Sequence, residues 1–396
     1  MNSSSTTLSG LSLQCTSTTH FFGRPPKEYD VLPHDFQPDC YQTLLERKVE
    51  SVRALLAPVT ELEPTVFASP KSGFRMRAEF RVWHANDRLF LAMFDPAEPR
   101  MPIEITQYPF GSIAIQSRLE PLVDALNQSD VLKRKLFQLE FLTTTTGECL
   151  LTLIYHRALD SDWEEQATAL GIALDCKMIG RSRKQKIVLS DEYVSEQLKI
   201  HDESYYYRHY EQGFTQPNAS INQSMIEWVS AQVGDTERDL LELYCGLGNF
   251  SIPLTRRFRY VLATEVSKSS VKAAQENIAL NQIDTLNIIR LNAAETAQAI
   301  RGDREFRRLA NSQRPLQTYQ FDSILVDPPR AGLDADSLQL ASTIPTIIYI
   351  SCNPETLTRD LIQLSDTHEI AKWAVFDQFP YTHHTECGVI LRRRPG

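Results

Sequence analysis

The sequence predicts an α/β protein: a carboxy-terminal Rossmann-like domain with a doubly wound, mostly parallel sheet, preceded by an α+β domain. Three observations carry this. Beyond residue 213, near-continuous apolar runs alternate with helical stretches, as strands buried on both faces of a parallel sheet require. Between about 66 and 205 the strands instead alternate apolar and charged residues, as in Phe74-Arg-Met-Arg-Ala-Glu-Phe-Arg-Val-Trp83, the pattern of antiparallel strands with one wet face. Two glycines, Gly246 and Gly248, stand between a strand and a helix, where open α/β sheets bind their ligands.

A chain of 396 residues has room for two or three domains. Hydrophobic residues at 42% and charged residues at 23% exclude wholesale disorder. No apolar run approaches the ~20 residues of a membrane helix, so no membrane partner is expected. The net charge of −9 removes any general attraction for phosphate, and a nucleic-acid site must be a local basic patch. Seven scattered cysteines with no CxxC spacing argue against a metal site or an iron–sulfur cluster and suit a reducing, cytoplasmic setting. The Ser/Thr-rich stretch 1–28 is expected to be a flexible extension, followed by a helix and α+β domain over 29–212 and the second domain over 213–396.

The elements follow in order. Leu44, Leu45, Val49, Val52 and Leu56 have helical spacing, and Pro58 ends their helix. The Phe74–Trp83 strand pairs with 89–94 as a hairpin. Strands at 139–142 and 150–156 flank Thr143-Thr-Thr-Thr-Gly-Glu148, with helices at 117–137 and 162–174 between the strands. From residue 213 the expected order is helix 218–233, strand 239–243, helix 249–258, strand 260–265 and helix 267–281. Strands 286–291, 321–326 and 346–351 continue the sheet, and 373–379 with 387–391 close it as an antiparallel pair.

Three motifs lie at strand ends of this second region. In Leu241-Glu-Leu-Tyr-Cys-Gly-Leu-Gly-Asn-Phe250 the glycines let backbone approach a ligand, and Glu265, 19 residues after Gly246, can accept ribose hydroxyls. Ser251 stands where a dinucleotide fingerprint wants a third glycine, so S-adenosyl-L-methionine suits this loop better than NAD or FAD. The Asp327-Pro-Pro-Arg330 turn delivers a carboxylate to the same edge on a stiffened backbone. In Ile350-Ser-Cys-Asn-Pro-Glu355, Asn353 and Pro354 suit the cap and first turn of a helix, so Cys352 faces a positive helix end expected to lower its pKa. A fourth stretch, Gln378-Phe-Pro-Tyr-Thr-His-His-Thr-Glu-Cys-Gly388, places Glu386 before the last strand. Taken alone these residues also admit a silent RNA-binding module, or a hydrolase using Cys352 with His383 or His384.

Taken together the four motifs resemble those of the RNA uracil-5-methyltransferases, from about residue 30 onward, and are most similar to the bacterial tRNA-modifying branch. The chain departs from that pattern with Leu247 where Asn is expected and Ala331 where Ser is expected. The resemblance implies methyl transfer from S-adenosyl-L-methionine to C5 of a T-loop uridine of tRNA, with Cys352 as nucleophile and Glu386 as base. It implies Gln216, Tyr244, Asn249 and Glu265 as cofactor contacts, with Asp327 between cofactor and uracil. The T-arm of tRNA is the expected partner, with tmRNA or ribosomal RNA as alternatives, and the enzyme is expected to be monomeric. For RNA docking the reading singles out Lys177, Arg181, Arg183, Lys184 and Lys186, together with Arg75, Arg77, Arg81 and Trp83.

Overall fold

In the computed structural model, residues 31–95, 100–310 and 314–395 are described, and the extension expected at 1–28 lies outside them. Helix α1 (Tyr41–Leu56) buries Tyr41, Leu45, Val49, Val52 and Leu56, one stripe at three- and four-residue spacing. The strands and helices that follow are β1 (Thr65–Phe67), β2 (Arg77–Ala85), β3 (Arg88–Phe94), β4 (Pro102–Glu104), α2 (Ile113–Gln128), α3 (Asp130–Lys133), β5 (Leu136–Thr143) and β6 (Cys149–Tyr155). Next come α4 (Ser161–Leu174), β7 (Lys177–Ser182), β8 (Gln185–Val188), β9 (Tyr193–Ile200) and β10 (Glu203–Tyr210).

Seven of these strands form one sheet in the order β4-β3-β2-β5-β6-β7-β8, while β9 and β10 make a separate hairpin. The sheet is antiparallel except where α4 crosses between the parallel pair β6 and β7. The helix expected at 117–137 is two helices. Ser112 caps the first by accepting from the Ile115 N–H, Ser129 caps the second through the Leu132 N–H, and the chain is already extended by Leu136. Strands β7 to β10 were not anticipated, because a reading centred on the charges of 177–186 passed over the period-2 burial of Tyr193–Ile200.

The rest of the chain supplies α5 (Ala219–Val233), β11 (Asp239–Leu243), α6 (Ser251–Leu254), β12 (Tyr260–Thr264), α7 (Lys268–Leu280), β13 (Leu286–Ile289), α8 (Ala293–Arg301) and α9 (Arg307–Ala310). It finishes with β14 (Phe321–Val326), α10 (Ala335–Thr343), β15 (Thr346–Ser351), α11 (Pro354–Leu364), β16 (His368–Phe376) and β17 (Glu386–Arg393). The second sheet runs β1-β16-β17-β15-β14-β11-β12-β13, with β17 alone antiparallel to its neighbours. All five residues of β11 are buried, as the apolar runs require. The order reverses at β11, whose neighbours β14 and β12 both follow it in the chain, so a crevice opens at the carboxyl ends of β11 and β14.

Two details differ from expectation. The helix expected at 249–258 stops at Leu254, where the last turn tightens into i to i+3 bonds from Thr255, Arg256 and Arg257. Strand β1, from the part of the chain expected with the smaller sheet, pairs in parallel with β16 at the edge of the larger one. Helix α1 goes with it: the Thr358 hydroxyl on α11 donates to the Leu55 carbonyl at 3.3 Å.

Candidate active site

The loop leaving β11 has an unusual backbone. Tyr244 adopts φ 62° without being glycine, followed by Gly246 at 57° and Gly248 at 89°. Such a conformation costs a side-chain-bearing residue free energy and is found where the surrounding structure over-determines it. Here that determination is visible. The Cys245 N–H donates to the Thr264 carbonyl, the Gly246 N–H donates to Glu265 Oε2 at 3.1 Å, and Asn277 Nδ2 holds the Leu247 carbonyl.

Glu265 is fixed from the other side by the Ser267 N–H, which donates to Oε1 at 2.7 Å. Each carboxylate oxygen thus keeps a lone pair for a ligand hydroxyl. Asn249 exchanges two amide hydrogen bonds of 2.8 Å with Asn222 on the first turn of α5, so its side chain has one orientation. The residues of this loop fit a ribose-bearing cofactor without pyrophosphate: one carboxylate with open acceptor sites, a backbone free of Cβ atoms at Gly246 and Gly248, and an oriented amide.

The second half of the site lies where β14, β15 and β17 end. Asn353 accepts from the Glu355 N–H and caps α11, and its Nδ2 donates to the Arg330 carbonyl at 2.9 Å. The Thr356 hydroxyl donates to the same carbonyl at 3.1 Å, which ties the Asp327-Pro-Pro-Arg330 turn to the helix that presents Cys352. Strand register does the rest. Ser351 is opposite Cys387 on β17, so one further step sets Cys352 against Glu386. Asp327 follows the last residue of β14, beside β15. Cys352, Glu386, Asp327, Gln216, Tyr244, Asn249 and Glu265 all line a single cavity of about 640 Å³. Cys352 also lines a second cavity of about 680 Å³ beneath α1, so the thiol can be approached from two sides.

The electrostatics correct one expectation. Burial pushes the Cys352 thiol up to about 11, helped by the charges of Glu386 and then Asp327 and opposed by Arg330. The partial charge of a helix end is outweighed by desolvation and two neighbouring carboxylates. Burial raises Asp327 to about 7, and burial together with Asp327 holds Glu386 well above the usual carboxylate range. Glu242, buried on β11 and accepting from the Ser251 hydroxyl, rises to about 8 through burial, with Asp327 adding to it.

Asn222 lies outside the motifs, while Glu242, Arg330 and Gln378 lie within them and Ser251 directly follows one, but none carries a predicted role. Asn222 carries a signal in its four-residue spacing from the helix cap Asn218, whereas Glu242 and Gln378 matter only through neighbours distant in sequence. The basic cluster also reads differently in three dimensions. Arg181 is paired with Glu211, Lys186 with Glu192 and Glu211, and Lys177 with Glu148 and Asp191. Arg77 donates to the Glu211 carbonyl and Arg81 lies over the Phe137 ring. Arg183 and Lys184 project into solvent at the turn between β7 and β8.

A glycine loop, an acidic strand end and a thiol set against a carboxylate at one edge of a doubly wound sheet define a transferase of the S-adenosylmethionine-dependent class. The family described as tRNA (Uracil-5-)-methyltransferase matches residues 40–394, and the chain belongs to that family. It is 48% identical over 354 residues to a tRNA/tmRNA (uracil-C(5))-methyltransferase of Acinetobacter baylyi, covering 89% of this chain and 98% of that one. A protein of the same description from Idiomarina loihiensis is 49% identical over 358 residues, covering 89% and 97%. Among solved structures, the Pyrococcus abyssi tRNA (uracil-54, C5)-methyltransferase in complex with S-adenosyl-L-homocysteine superimposes with a TM-score of 0.67 at 21% identity. It covers 89% of this chain and 83% of that chain, which supports the fold.

Proposed function

We propose that this protein methylates C5 of a T-loop uridine in tRNA, and in tmRNA as an alternative substrate, through a covalent adduct on Cys352. The observation that carries the proposal is the placement of Cys352 against Glu386, with Asp327 beside them, in the cavity that also holds the glycine loop. When bound, S-adenosyl-L-methionine supplies the methyl group as an electrophilic carbon; Glu265, Asn249, Tyr244 and Gln216 would hold it.

The chain's own residues address the weakness of C5 as a nucleophile. The Cys352 thiolate adds to C6, the C5–C6 double bond opens, and its electrons make C5 enolate-like. Once C5 carries both methyl and hydrogen, Glu386 removes the proton, the double bond re-forms and the C6–S bond breaks. Glu386 therefore has to be ionised at that step, and of the charges around it Arg330 favours the ionised form while Asp327 opposes it. The uridine must first leave its stack to reach Cys352.

We place RNA recognition on the 29–212 part of the chain and chemistry on 213–396. A reducing, cytoplasmic setting is supported by the free thiols of Cys149, Cys176, Cys245, Cys352 and Cys387; that the enzyme is a monomer is part of the same proposal. No helix among the described residues is long and apolar enough to cross a membrane.

The test is paired. Cys352→Ala should abolish methyl transfer and leave cofactor affinity unchanged, whereas Glu386→Gln should accumulate a methylated protein–RNA adduct that survives denaturing electrophoresis. Turnover by the alanine variant would remove the covalent step. Free methylated RNA from the Gln variant, at normal rates, would remove Glu386 as base.

A further inference from the structure

Gln216 is held by a residue that none of the four motifs singles out for chemistry. Gln378, just after β16, is 1% exposed. Its Nε2 donates to Gln216 Oε1 at 2.7 Å, and its own Oε1 has no hydrogen-bond partner among the described residues. A glutamine amide can turn over about its last torsion and exchange its donor and acceptor edges. Gln216 Oε1 accepts this bond with one of its two lone pairs, which sets the orientation of the amide, and its –NH2 group is the donor edge that remains for the cavity.

Gln378 is itself held on both sides. Asp377 forms a buried pair with Lys48 of α1 at 2.6 Å, and Lys48 also donates to the Phe379 carbonyl at 2.9 Å. The Gln378 N–H donates to the Phe376 carbonyl, and Phe376 is the residue opposite Glu386. The amide thus hangs from a clamped loop beside the reacting groups.

We propose that Gln378 is a positioning residue that fixes the Gln216 amide with its –NH2 directed at an acceptor oxygen of the bound ligand. This rests on the placement of Gln216 in the binding site. The acceptor is a carboxylate oxygen of the cofactor or the O4 carbonyl of uracil. In the second case the same donor disfavours cytosine, whose amino group would face it.

The experiment compares Gln378→Leu, Gln378→Glu and Gln216→Leu in the full-length enzyme. Titration with S-adenosyl-L-homocysteine reads the cofactor arm, and kcat and KM for a tRNA transcript read the base arm. Gln378→Leu, which cannot donate, should lose about tenfold in one arm, about 1.4 kcal/mol, and Gln216→Leu at least as much in the same arm. Gln378→Glu gives a signature that packing alone would not. Ionised, it only accepts and turns the Gln216 amide over; protonated, it donates as glutamine does. Its activity relative to wild type should therefore rise as pH falls. The ionisable groups around it, Lys48, Asp377, Tyr41, Tyr381 and Glu386, are present in both enzymes but couple to the introduced carboxylate, so the Gln378→Leu profile over the same pH range serves as the reference for what they contribute without it.

Full activity of Gln378→Leu beside a damaged Gln216→Leu would overturn this inference alone. Full activity of both would overturn the placement of Gln216 as well. A pH-independent ratio for Gln378→Glu would reduce Gln378 to packing.

Discussion

Cys352 is raised, not lowered, because a helix end supplies only a partial charge while burial and two carboxylates act together on the thiol. Alkylation of Cys352 by iodoacetamide in the ligand-free enzyme should therefore keep accelerating as pH rises toward about 11. A plateau near the ordinary thiol range of about 8.5, followed by peptide mass mapping, would contradict this. The acids make a second residue-scale prediction. Asp327 and Glu242 bind protons more tightly in the folded than in the unfolded chain, with folded values of about 7 and 8. Between the unfolded carboxylate range and those values the native state holds more protons, so stability is fully present at low pH and is lost as pH rises through that window. The Tm of the ligand-free enzyme should carry a falling contribution between pH 5 and 8, and Glu242→Gln should flatten it. An unchanged slope in the Gln variant would show that Glu242 does not carry this linkage.

The elements each contribute one anchored side chain, and their boundaries matter more than their interiors. Helix α5 begins at the Asn218 cap and thereby sets Asn222 against Asn249. Asn222→Ala breaks this reciprocal amide pair and leaves Asn249 free to rotate. Cofactor affinity should fall about tenfold, in the range of one or two neutral hydrogen bonds, with thermal stability shifted by a few degrees at most. Calorimetric titration with S-adenosyl-L-homocysteine checks this, and unchanged affinity would leave Asn249 without a binding role. Most elements from 213 onward were legible because buried parallel strands are continuous apolar runs, and Phe321–Val326 and Thr346–Ser351 fall where the pattern places them. The short α6 was not, since nothing in Asn249–Phe258 marks where α-type bonds give way to tighter ones.

Across the whole molecule the two sheets divide the charge differently from the sequence. Glu211 follows the last residue of β10 and pairs with Arg181 on β7 and Lys186 on β8, so those cations tie the β9–β10 hairpin to the edge of the seven-stranded sheet. Removing Arg181 should destabilise the protein by leaving a buried carboxylate without its main partner. The double variant Arg183→Ala, Lys184→Ala should instead raise the KM for tRNA several-fold. Its salt dependence should drop by about one to two units in the log–log slope, with Tm unaffected. Filter binding over a salt series checks this, and an unaltered slope would place docking elsewhere.

By itself the sequence determined the candidate site residues, their order along the chain and the parallel sheet that collects them. Periodicity, turn residues and capping residues are local properties, and Cys352, Glu386, Asp327 and Glu265 all sit at strand ends that local patterns locate. Only the tertiary structure decided what those groups feel and who holds them. The rise of the Cys352 thiol, the Asn222–Asn249 pair, the Gln378–Gln216 contact and the pairing of the basic cluster with Glu211 all depend on residues tens to hundreds of positions apart. Desolvation and ion pairing are set by the space a side chain ends up in, and that space is made by the fold as a whole.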